Sequence, residues 1–208
     1  MPDPDPPTPQ QLKDMAAHIY HEVMALMQSR DLLNHAKAQH KAATDKVLQD
    51  TCQVGINCAL ESFLLHYRNL REFLNDEVKQ SKKNKGTGKL ESDDVKAKDY
   101  TIDPNWKTAA PWASNKDEGK RLHKRLAHVT TARLMLDDKW YPESMEGNAL
   151  RTFEDFVSAL SDERRAWFEN ASKAITARVS PVMATLGESS NTLSVSRHSM
   201  TFHGFGFK

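Results

Sequence analysis

Apolar residues along the first third of the chain recur at three- and four-residue steps, the period of a helix with one buried face. Leu12, Met15, Ile19, Val23, Leu26 and Met27 form the first such stripe. Its start is well signalled: Thr8 is placed as an N-cap, Pro9 takes the first helical position, and Gln11 completes a capping box. The SRDLLN segment after Gln28 reads as a turn. A second helix is predicted from Lys41 to about Val78, with Leu48, Cys52, Gly55, Ala59, Phe63, Leu70 and Phe73 on one stripe. Leu60 and Leu64 widen that stripe, which predicts a central helix with neighbours on several sides.

From Lys79 to about Ala113 the periodicity stops. KQSKKNKGTGK reads as a basic loop, and Tyr100, Trp106 and Trp112 are the anchors expected to pin the irregular stretch after it. Ser114, with Asp117 three residues on, predicts the start of a third helix carrying Leu122, Leu126, Val129, Arg133 and Leu136. Asn148 is the expected cap of a fourth, carrying Ala149, Phe153, Phe156, Val157 and Leu160. Ser161 is the expected cap of a fifth, with Trp167, Phe168, Ala171 and Ile175. No strand pattern competes before the Ser/Thr-rich end of the chain. The expectation is an all-α bundle of about five helices in one domain, 1–180, with an irregular loop over 79–113 and a flexible tail over 181–208.

Composition narrows the class. Of 208 residues 38% are hydrophobic and 27% charged, polar for a globular chain but short of disorder. No apolar run approaches the roughly 20 residues of a membrane helix. The opening MPDPDPPTP lacks a basic region followed by an apolar one, so no secretory signal is expected. Lys and Arg number 29 against 28 Asp and Glu, which leaves no global field to attract nucleic acid or membrane. Cys52 and Cys58, six apart on one helix, are rotated by about 240° and cannot pair. Both read as small apolar groups in a reducing cytoplasm.

Three constellations carry possible chemistry. On the first helix Asp14, His18 and His21 share one stripe with Glu22 beside it, turned away from the apolar face. A solvated polar face is the plain reading, and with no Glu-x-x-His anywhere in the chain a diiron bundle is excluded. No metal and no cofactor is expected. In ESFLLHYRNLREFL, His66 falls on the core side of the second helix, with Asn69 at its edge and Arg68 beside them. Buried His and Asn need partners, so these residues form either a polar network pinning the bundle or a desolvated pocket. On the third helix Arg121, Arg125 and His128 lie within about 60° of one another. Two arginines can hold a phosphate while a histidine moves a proton, which suffices for metal-free RNA cleavage; a solvated basic face is the simpler alternative.

The segments ESFLLHYRNLREFL and RLHKRLAHVTTAR together resemble a group of bacterial helical proteins and the broader HEPN superfamily of small helical bundles. The resemblance covers about a third of the chain. HEPN nucleases carry an Arg, four to six residues and a His, as Arg121 and His128 are spaced here; Leu122 stands where that family usually has a polar residue. The resemblance implies a homodimer, metal-independent RNA cleavage and, in toxin–antitoxin or defence systems, a protein antitoxin as partner. Many superfamily members are non-catalytic. The sequence is therefore compatible with two functions. One is an RNA-binding protein or endoribonuclease with His128 as acid/base, Arg121 and Arg125 as phosphate clamps, and His66, Arg68 and Asn69 lining the pocket. The other is a non-catalytic helical interaction protein.

Overall fold

Thr8 starts the first helix as its sequence predicts. Its hydroxyl accepts from the Gln11 backbone while the Gln11 side chain accepts from the Thr8 backbone, and Pro9 occupies the first turn. In the computed structural model, which describes residues 6–75, 95–103, 106–108, 116–127 and 140–187, α1 runs from Pro9 to Ala42 without a break. The expected turn at SRDLLN is therefore helix. The segment holds neither glycine nor proline, and its inward positions are all satisfied. Ser29 meets Ser62 of the next helix at 2.8 Å, Arg30 is held by two carboxylates, and Leu33 and Ala36 are buried.

Ala43 to Asp45 turn the chain, and Asp45 caps α2, Lys46–Leu74, by accepting from the Leu48 amide at 2.8 Å. The expected start at Lys41 is thus five residues early, and the expected end at Val78 lies outside the described residues. α1 and α2 form a long antiparallel pair, and α2 also touches α3 and α4, as expected of the central helix. Its inner face buries Cys52, Ala59, Phe63, Leu64, Tyr67, Leu70 and Phe73. Leu48, counted with that stripe, is 47% exposed, so the buried face of α2 begins only at Cys52.

Of the irregular stretch, a 3₁₀ turn at Ala97–Asp99 and the following Tyr100 dock onto the core. Tyr100 is fully buried and packs edge-on against Phe73, Phe156 and Phe168. Its hydroxyl donates to the Leu12 carbonyl at 2.8 Å, and Arg164 donates to its carbonyl at 2.6 Å. Trp106 packs on Phe156 as a second anchor. Trp112 and Ser114 lie outside the described residues.

α3 spans Lys116–Ala127 and α4 spans Pro142–Ser158. Asn148, expected as the cap of α4, sits inside it. Pro142 starts the helix six residues earlier, and Met145 and Glu146 are buried one turn in. Ser161 does cap the next helix, accepting from the Arg164 amide. That helix divides in two, α5 at Asp162–Ala166 and α6 at Glu169–Gly187, because Trp167 and Phe168 turn on tight bonds to the Arg164 and Arg165 carbonyls. Arg165 also reaches back to the Val157 and Leu160 carbonyls and so closes the C-terminus of α4. The described residues therefore hold six α-helices rather than five, in an all-α architecture. Phe153, Phe156, Phe168, Ala171 and Ile175 complete the core of the bundle, whose compact unit ends at Ile175. From Thr176 the described residues are assigned to a second unit and are helical as far as Gly187, so Pro181 does not end the helix.

Candidate functional site

On α1, Asp14, His18 and His21 face outward, as their angular position predicts. Glu22 does not join them; it turns toward α2. Its Oε2 accepts from His66 Nδ1 at 2.7 Å and from Asn69 Nδ2 at 3.2 Å. An ionised carboxylate only accepts, so Nδ1 carries the imidazole proton. The His21 ring meets His66 edge-on at 5.8 Å. The His66 side chain is 16% exposed, so it lies at the rim of the α1–α2 seam and not in the core. Arg68 turns the other way and pairs with Glu72 at 2.8 Å. The predicted trio is thus divided: His66 and Asn69 meet on Glu22, and Arg68 belongs to the outer surface of α2. Among the described residues no three His, Cys, Asp or Glu side chains are gathered as a metal site.

Of the basic trio on α3, Arg121 is half-buried with its guanidinium 4.5 Å from the centre of the Trp140 ring. Arg125 lies one turn further along the same helix; its side chain and all of His128 lie outside the described residues. At the base of α3 the Tyr67 hydroxyl donates to Glu118 at 2.6 Å. Burial, and then the Glu118 carboxylate, push this phenol far above its ordinary value. The Arg71 guanidinium of α2 lies against the bare Cα of Gly119, so a larger residue there would push this side-chain end aside.

One polar cluster escaped the sequence reading. Arg30, buried on α1, donates to Glu146 at 2.8 Å and to Glu143, both on α4. Arg30 and Glu143 border a shallow cleft of about 330 Å³, with Lys37, Trp140 and Tyr141 on its other sides. The signal was present: Arg30 continues the Val23–Met27 stripe at helical spacing, but only if α1 does not turn. With two carboxylates already on it, Arg30 ties α1 to α4 and is not set up to receive an anion.

The outer face of α2 has a different character. Val47, Val54, Cys58 and Leu65 project from it within about 40° of one another. Val47 is 77% exposed, Val54 61% and Leu65 42%, and Cys58 is exposed as well. With Thr51 and Glu61 they alternate at four- and three-residue steps, the spacing of a coiled-coil seam.

No family model, curated protein or solved structure matches the chain. Function is therefore read from these surfaces. The seam residues His66 and Asn69 and the clamp Arg30 spend their polar groups on joining helices, while the outer stripe of α2 has apolar side chains and no covering element among the described residues. Among the described residues, no helix is long and apolar enough to cross a membrane.

Proposed function

We propose that the chain is a helical interaction protein that receives a protein partner on the outer face of α2. The observation that carries this reading is the aligned exposure of Val47, Val54, Cys58 and Leu65. Singly exposed apolar residues are ordinary on any surface, but four on one stripe at seam spacing are what a partner helix buries. The polar networks support the same reading, because Glu22 joins α1 to α2 and Arg30 ties α1 to α4, which holds the platform beneath this face in one arrangement. A photo-crosslinking residue at Glu61 tests it in cells that natively make the chain. Discrete protein adducts should form there and not from the same residue at Asp155, which is exposed on α4. RNA adducts alone, or equal labelling from both positions, would contradict the reading.

A second reading, HEPN-like RNA binding or metal-independent RNA cleavage, is favoured by α3, which sets Arg121 and Arg125 one turn apart with Lys120 exposed beside them. Under it, His128→Ala abolishes EDTA-resistant cleavage to 2′,3′-cyclic phosphate ends and spares binding. Arg121→Ala and Arg125→Ala weaken binding and flatten its salt dependence. Purified protein that neither binds nor cuts RNA between roughly 50 and 200 mM salt removes this reading.

A further inference from the structure

Beyond its apolar stripe, the outer face of α2 has a charge pattern. The N-terminal end carries an ion pair four residues apart, Lys46 with Asp50. The C-terminal end carries a second, Arg68 with Glu72. The two pairs run in the same order, cation then anion along the helix, so an antiparallel copy of the same helix brings opposite charges together. A two-fold axis crossing the face between Cys58 and Glu61 sets Val54 against the partner's Leu65. The same operation brings Asp50 to the partner's Arg68 and Lys46 to the partner's Glu72. Asn57, whose Oδ1 already accepts from Gln53, is left with its amide Nδ2 to donate to the partner's Glu61. Val54, Leu65 and Glu72 lie along the stripe, and Lys46, Asp50, Asn57, Glu61 and Arg68 all fall to the same side of it, as pairing across an antiparallel two-fold requires.

We propose that the partner of this face is a second copy of the chain, docked antiparallel along α2 with Val54 against the partner's Leu65 and Asp50 against the partner's Arg68. This rests on the interaction reading above and names its partner. The seam is narrow and carries polar residues at Thr51 and Glu61, so association is reversible and concentration-dependent. Cys58 is the exposed one of the two cysteines and sits next to the axis, about 4.5 Å along the helix direction from its counterpart.

The test is sedimentation of the full chain from micromolar to near-millimolar concentration, with a short bismaleimide crosslink in parallel. The account predicts a shift from the 23.6 kDa monomer towards twice that mass, and a covalent dimer that Cys58→Ser removes. Val54→Glu should weaken association at least tenfold with the helical spectrum unchanged. Asp50→Lys and Arg68→Glu should each weaken it several-fold, and the two together should restore it. Residues 50 and 68 are about 27 Å apart on one helix, so a restoration reports contact between copies and cannot arise within one. A chain that stays monomeric throughout, or a dimer indifferent to Val54→Glu and to the charge reversals, overturns the proposal. If the chain is monomeric but position 61 crosslinks to a different protein, the interaction reading stands and the second copy does not.

Discussion

Replacing Arg30 with alanine tests whether α1 is locked to α4 by charge. The guanidinium is nearly buried and reaches two carboxylates, of which Glu146 is buried and Glu143 is open to solvent. The contact with Glu143 contributes little, since an exposed carboxylate regains water when released. The contact with Glu146 decides the magnitude. Removing one member of a buried ion pair leaves the other desolvated, at a cost of about 3–5 kcal/mol. At about 2–4 °C per kcal/mol for a chain of this length, the melting temperature should fall by roughly 6–20 °C. The Arg30→Met/Glu146→Leu double variant replaces the pair with apolar groups of similar size and should recover most of the loss. Thermal unfolding followed by circular dichroism reads both. A fall of less than about 1 kcal/mol for Arg30→Ala would mean that Arg30 is solvated and that α1 does turn near Gln28.

His66→Ala should cost about 1–2 kcal/mol in denaturant unfolding, because Glu22 loses one of its two donors at a half-buried site; no change would place His66 in solvent. Tyr67 and Tyr100 are both raised well above the ordinary phenol, chiefly by burial. A raised acid binds its proton more tightly when folded, so the stability it contributes is present below about pH 10 and is lost as pH climbs above that. Phenolate absorbance from these two residues should appear only together with unfolding, and a smooth titration in the folded state would contradict their burial. Asp14, His18 and His21 should hold no stoichiometric zinc or iron in purified protein, and His18→Ala should leave the metal content unchanged; metal lost with that substitution would revive a metal site on α1.

The fold was legible where the deciding information is local. Thr8, Pro9 and Gln11 specify a helix start within four residues, and the α2 stripe from Cys52 to Phe73 specifies a buried face by period alone. Ser161 was legible for the same reason. Reading failed where a residue's direction depends on a distant partner. Arg30 reads as a breaker of the apolar pattern until Glu143 and Glu146, more than a hundred residues away, are seen to receive it. Asn148 resembles a cap, yet Pro142 and the buried Met145 had already started the helix. At the candidate site the sequence angles brought His66 and Asn69 to one side correctly and misassigned Arg68, whose nearest opposite charge is Glu72 one turn away. Glu22 was counted with the solvated stripe because its 80° offset from Asp14 looks minor until α2 is placed beside it.

Genetic complementation, in cells that natively produce the chain and show a phenotype when it is deleted, decides between the outer face of α2 and His128. Two variants are compared at matched abundance: Val54→Glu/Leu65→Glu on the outer face of α2, and His128→Ala on the basic segment. The account predicts that the outer-face variant behaves as the deletion while His128→Ala restores wild-type behaviour. Full function from the outer-face variant, with loss of function in His128→Ala, would contradict the interaction reading and point to chemistry at His128.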